Sequence, residues 1–198
     1  MHHGGMLRRA GAGSSTRMGE ASDEDLMARV AQGDAAAFRT LTERYAVRAV
    51  ALARRFLGNS ADAEDIAQDA FLRVWRAAPR WQPTAAFGTW FYRIVVNLCL
   101  NHRRRREFAP LEDAADIVDP APDALARLAR GHEDRALARA IADLPQRQRA
   151  AVLLTYWEGL SNARTAEVLD ASVSGVETLL VRARRALRAR LGPQPGEE

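Results

Sequence analysis

The sequence predicts an all-α protein of two small helical domains joined by a flexible linker, and three observations carry that expectation. Ala, Leu, Arg and Glu dominate, apolar residues recur every three or four positions, and no segment alternates with the period of a strand. A stretch rich in proline and acidic residues, "EFAPLEDAADIVDPAPDALARLARG", interrupts the helical pattern and holds few large apolar side chains. Hydrophobic residues make up 47% of the 198, enough to build a core on each side of that interruption.

Charge narrows the function classes. The chain holds 29 Lys+Arg against 25 Asp+Glu and contains no lysine, so every cationic side chain is a planar, permanently charged guanidinium. That explains a pI of 10.1 with a net charge of only +4. Such a balance suits a protein that meets phosphate with one surface and something less acidic with another. The single cysteine, Cys99, excludes an internal disulfide, and no Cys/His spacing suits zinc, so no cofactor and no metal are expected and a cytoplasmic location fits. Residues 1–22 lack the apolar core of a signal peptide and read as a disordered tail, in which His2 and His3 form at best a weak metal site. No run of about 18 apolar residues suggests a membrane span.

In the first helix, "SDEDLMARVAQGD", Ser22 or Asp23 is a fitting N-cap, acidic residues fill the first turn and Gly33 lies near the end. The second runs from Asp34 to about Leu57, with Phe38, Leu41, Tyr45 and Leu52 on its apolar side. The third starts at Ser60 and stops before Pro79; Ile66, Ala70, Phe71 and Val74 face inward, while Asp62, Asp65, Gln68 and Asp69 present an acidic, amidic face. That face suits a basic protein partner, or plain solvation. After the loop "PRWQPTAAFGT" comes "FGTWFYRIVVNLCLNHRRRR", where Phe87, Phe91, Ile94 and Leu98 make the core stripe. A quarter turn away lie Trp90, Arg93, Asn97 and Arg104, with Asn101 between the two sets. Such a surface can stack and read unpaired bases, or Trp90 can pad the core; periodicity alone leaves the two even.

The second helical block runs from about Glu133 to Leu191, broken at "LPQRQR", "EGLSN" and "LDAS". Its end has the spacing of a helix-turn-helix: Ala166 at the helix crossing, Asp170 at the turn, Val176 anchoring the second helix. Val176, Leu180, Ala183, Leu187 and Leu191 form the buried stripe of that helix. Its far side carries Ser174, Thr178, Arg182, Arg185 and Arg188, hydroxyls placed for base edges and guanidiniums for phosphates.

Together these stretches resemble the bacterial sigma-70 family, specifically the small extracytoplasmic-function (group 4) sigma factors, over roughly Asp23 to Leu191. "DAEDIAQDAFLRVW" resembles region 2.2, "FGTWFYRIVVNLCLNHRRRR" regions 2.3 and 2.4, and "LPQRQRAAVLLTYWEGLSNARTAEVLDASVSGVETLLVRARRALR" region 4. The resemblance implies a tail over 1–22, region 2 over 23–106, a linker over 107–132, region 4 over 133–191 and a tail over 192–198. It implies that Asp62, Asp65, Gln68, Asp69 and Arg73 dock on the clamp helices of the β′ subunit of core RNA polymerase, with the β subunit a further partner. It assigns Phe87, Trp90, Arg93, Asn97 and Asn101 to opening and capturing the −10 element, and Arg103, Arg104, Arg105 and Arg106 to the phosphates around it. Ser174, Thr178, Arg182 and Arg185 would read the −35 element of promoter DNA. An anti-sigma factor and a role in a stress response are implied as well.

The chain departs from the usual pattern at Glu177, Leu179 and Asp170. Glu177 either caps its helix through Ser174 in an S-x-x-E box, the reading preferred here, or accepts from a cytosine amino group. Two rivals stand beside the sigma reading. A stand-alone helix-turn-helix regulator would bind a palindrome as a dimer and need no acidic face. An enzyme would rest on Cys99 and His102 alone, without a third orienting residue, and Cys99 reads better as a small buried hydrophobe, so no enzymatic activity is expected.

Overall fold

The structure, a computed structural model, describes residues 21–58, 60–108 and 135–191, and every regular element among them is helical. Most of the expected tails and linker lies outside the described residues, as do His2 and His3.

Helix α1 (Asp23–Val30) starts as its sequence dictates: the Ser22 side chain accepts from Asp25 N at 3.0 Å, and Asp23, Glu24 and Asp25 sit at the positive end of the helix. Helix α2 (Ala35–Leu57) is capped by Asp34, whose Oδ1 accepts from the backbone N of Ala36 and Ala37 at 2.9 and 3.0 Å. The Ala37 N–H and then the Arg29 guanidinium hold this carboxyl below the usual carboxylate range. Gly58, left-handed at φ 78, ends α2 by donating to Arg54 O at 2.8 Å. Helix α3 (Ser60–Ala77) passes into a 3-10 turn over Ala78–Arg80. Helical geometry therefore continues through Pro79 instead of stopping before it, because a proline early in a helical turn lacks only an N–H that would be unbonded anyway.

Helix α4 (Phe87–Phe108) is started by a tertiary contact: its first N–H donates to Glu24 Oε1 of α1 at 3.0 Å. Its buried face is broader than one stripe, comprising Phe87, Phe91, Tyr92, Val95, Val96, Leu98 and Cys99. Ile94, expected in the core, is only half-buried. The cause is packing on two sides, since α4 lies against α2 and α3 and also against α7 of the second block.

That second block comprises α5 (135–142), α6 (Gln146–Val152), a π turn (Leu153–Trp157), α7 (Asn162–Leu169) and α8 (Val173–Leu191). The break before α6 spans only 143–145, and "QRQR" opens the helix instead of interrupting it. Between α7 and α8, Asp170 adopts the left-handed conformation at φ 48, ψ 59 and its N–H returns to Ala166 O. On α8, Val176, Leu180 and Ala183 are buried, while Leu187 and Leu191 are half-buried as the helix runs past its neighbours.

Arg149, 1% exposed, ties the blocks together, donating to Ile141 O at 3.0 Å, Leu144 O at 3.1 Å and, across the junction, Phe56 O at 2.6 Å. Burial lowers its pKa to about 10, yet it stays protonated at neutral pH and each nitrogen has a carbonyl partner.

Candidate nucleic-acid interface

On the first block, the face around α4 starts from an aromatic platform. Phe87 is fully buried, and the rings of Trp81 and Trp90 pack against it with centroids 6.4 and 5.9 Å away, themselves 5.9 Å apart. Phe87 therefore cannot touch a base; it is the floor on which the half-buried Trp90 rests. Trp90 both pads the core and opens onto a pocket of about 350 Å³ lined by Trp81, Gln82, Thr84, Arg93 and Glu167 among others. A π face beside amide and hydroxyl groups is the chemistry that accepts an unstacked base. Along the same helix Asn97, Asn101, Arg104 and Arg105 are exposed and Arg103 is half-buried. Arg104 Nη2 donates to Asn101 Oδ1 at 3.1 Å, which orients the amide. The side chain of Arg106 lies outside the described residues. Arg93 is already engaged: its guanidinium donates to the carbonyl of Glu167 in α7, through Nε at 3.0 Å and through Nη2.

The acidic face of α3 divides. Asp65, Gln68, Asp69 and Arg73 are exposed, whereas Asp62 is partly covered and lies 3.0 Å from His102 Nε2 of α4. Sequence periodicity did not single out Leu72, 44% exposed, which falls four residues after Gln68 and three after Asp69 and adds an apolar contact to that face. Its exposure was hidden because a leucine on a helix is ordinarily counted toward the core.

On the second block, Arg147 Nη2 caps the end of α7 by donating to Leu169 O at 3.0 Å, and the turn delivers α8 with Ser174, Glu177, Thr178, Val181, Arg182, Arg185 and Arg188 exposed. Its N-cap is Ser172, whose Oγ accepts from Gly175 N at 3.0 Å. The expected Ser174 and Glu177 capping box is therefore absent: Ser174 Oγ lies 3.1 Å from Ser172 Oγ, and its carbonyl accepts from Thr178 Oγ1 at 2.9 Å. Also unforeseen was the junction between the blocks, where Glu158, 8% exposed, accepts from Tyr92 OH at 2.6 Å and Arg48 Nε at 3.1 Å. Its members are far apart in the chain, and no local pattern marks them.

Comparison with known proteins matches both halves. Residues 41–108 match the family model described as Sigma-70 region 2, and residues 134–187 the one described as Sigma-70, region 4. The chain is 38% identical over 176 residues to the ECF RNA polymerase sigma factor SigM of Mycobacterium tuberculosis, covering 87% of this chain and 86% of that one. It is 31% identical over 183 residues to the ECF RNA polymerase sigma-E factor of Escherichia coli, covering 87% and 95%. Among solved structures, CnrH in complex with the cytosolic domain of CnrY superposes with a TM-score of 0.64 at 30% identity, covering 84% of this chain and 95% of that one. The sigma factor RpoE of Bartonella quintana, solved with the anti-sigma factor NepR, shares the fold at 20% identity and a TM-score of 0.62, over 78% and 96% of the two chains. Matches to both regions, in order along one chain, set aside a stand-alone helix-turn-helix regulator. The chain belongs to the sigma-70 family and is a sigma factor of the extracytoplasmic-function group.

Proposed function

We propose that residues 23–106 dock on core RNA polymerase and open the −10 element, while residues 133–191 read the −35 element. The observation that carries the reading is the coexistence of one exposed acidic face with two separate basic or base-stacking faces. Asp65, Gln68, Asp69 and Arg73, with Leu72 among them, form the polymerase contact, directed at the clamp helices of the β′ subunit. The partly covered Asp62 supports that face from its edge. Carboxylates at that density would repel phosphate, so they belong to the protein partner and not to DNA.

At the −10 element, Trp90 on its platform stacks an extruded base, Asn97 and Asn101 read base edges, and Arg103, Arg104, Arg105 and Arg106 hold phosphates through counterion release. Region 4 sets the register with Ser174, Thr178, Arg182 and Arg185 in the major groove. Polymerase holds both readers at a fixed spacing, so two weak recognitions become one effectively intramolecular binding event. We read the protein as a cytoplasmic factor and not an enzyme; the buried Cys99 and the His102 ring 3.0 Å from Asp62 speak against the one catalytic pair the sequence offered. The solved relative CnrH, bound to the cytosolic domain of CnrY, supports a protein partner here that we read as an anti-sigma factor, released in a stress response.

The test is transcription with purified core polymerase on a genomic fragment library, with start sites mapped. Transcripts sharing an upstream pair of elements are expected. Charge reversal at Asp65 and Asp69 together should weaken polymerase binding at least about tenfold, in keeping with like-charge juxtaposition at an interface. No transcript above core polymerase alone overturns the reading.

A further inference from the structure

We infer that Glu177 and Val181 set promoter specificity, Glu177 by selecting a cytosine in the major groove and Val181 by selecting a neighbouring thymine methyl. This rests on the reading of α8 as the −35 helix. Three observations point to it.

First, Glu177 has no structural duty. Ser172 caps α8 through Gly175 N at 3.0 Å and Val176 N donates to Ser172 O at 3.0 Å, so the first turn is satisfied without a carboxylate. Glu177 is the fifth residue of the helix, past the unbonded N–H groups that a side chain could cap. Secondly, its helical neighbours cannot neutralise it. The positions three and four residues away are Val173, Ser174, Leu180 and Val181, none of them cationic, although arginines crowd the later turns of the same helix. Thirdly, Val181 is 56% exposed one turn further on, an apolar branched side chain beside hydroxyls and guanidiniums, with Val173, 44% exposed, one turn before Glu177. Ser174, Glu177, Thr178, Val181 and Arg185 follow one another at intervals of one, three and four, so the acid and the valine share the face that carries the base-reading hydroxyls.

A carboxylate in a groove between two phosphate strands is repelled unless it meets a donor. In the major groove only the cytosine N4 and adenine N6 amino groups donate, while guanine and thymine present acceptors. Adenine places its N7 acceptor beside N6, and cytosine does not, so the carboxylate favours cytosine and rejects the acceptor-only bases. One helical turn along, an isopropyl group fits the C5-methyl of thymine. Selection here works as much by exclusion as by attraction.

The experiment uses the full chain with core polymerase on promoters randomised across the upstream element, with the transcribed templates sequenced for wild type, Glu177→Ala, Glu177→Gln and Val181→Ala. Wild type should enrich cytosine at one position by about tenfold and thymine at a nearby one. Glu177→Ala should erase the first preference and leave the others, Glu177→Gln should move it to adenine, and Val181→Ala should erase only the thymine. Alanine and glutamine are good helix formers at an exposed site, so the fold should be kept. If an upstream element is selected but its base frequencies are the same in wild type and both Glu177 variants, the inference falls and the sigma reading stands. If wild type selects no upstream element, the −35 reading of α8 falls and takes the inference with it.

Discussion

Cys99 illustrates how completely a residue's chemistry is set by its surroundings. It is fully buried between the apolar residues of α4, and burial pushes its thiol from the ordinary 9.0 up to about 12. A thiol that cannot ionise at neutral pH is neither nucleophile nor metal ligand. An aromatic disulfide reagent at pH 8 should therefore find no reactive thiol in the native protein and one after denaturation; a fast-reacting native thiol would contradict the burial. The linkage has a definite sign. An acid whose pKa is raised by folding contributes stability that is complete below about pH 9 and is lost as pH rises toward 12. The denaturant midpoint should fall across that window, and less steeply in Cys99→Ala. Tyr92, raised by its burial and by the Glu158 carboxylate, adds to the fall from about pH 10 upward, where the unfolded phenol begins to ionise.

Asp170 shows the cost of a turn written with the less common residue. Its left-handed φ of 48 joins α7 to α8, and a side chain there meets the following carbonyl, a strain that glycine lacks. Asp170→Gly should raise stability by roughly 0.5–1 kcal/mol, the αL strain of about 1–2 kcal/mol less the freedom glycine adds to the unfolded chain, read as a higher urea midpoint with an unchanged slope and an unchanged promoter preference. An equal or lower midpoint would mean that the αL site is not strained. At this scale the chain was largely legible: a cap at Ser22 or Asp23, of which the structure uses Ser22, Asp170 as the turn and Val176 as the anchor follow from local spacing, which is where periodicity and capping chemistry act. Less legible were features that need a second element. Glu24 reaching from α1 to start α4, the two-sided burial that demotes Ile94, and the floor position of Phe87 are set by what packs alongside. Ser172 displaced the expected Ser174 cap because two serines two positions apart offer the same hydroxyl, and only the helix start decides between them.

In the whole molecule, α7 lies against α4, and the guanidinium of Arg93 is occupied by the Glu167 carbonyl at the mouth of the pocket that Trp90 lines. On the proposed reading, a −10 surface whose Arg93 is engaged by the second block cannot serve DNA at the same time, so promoter reading would require the blocks to part. Besides Arg149, the closed junction is held by a polar cluster at Glu158. Its side chain is 5% exposed and accepts from Tyr92 OH, while its other partner, Arg48, is 52% exposed and contributes a solvent-screened pair. Glu158→Ala would leave the Tyr92 hydroxyl buried without a partner, at a cost of about 1–3 kcal/mol that separation of the blocks relieves by hydrating it. Arg48→Ala should cost less, since the half-exposed guanidinium is screened by solvent and Tyr92 OH still donates to the Glu158 carboxylate left behind. Small-angle scattering of the free chain should accordingly give a radius of gyration that increases in the order wild type, Arg48→Ala, Glu158→Ala. Unfolding can be told apart by circular dichroism, which should keep its helical signal in all three. Equal radii in the three proteins would show that the junction is held by Arg149 and apolar packing and not by the Glu158 cluster.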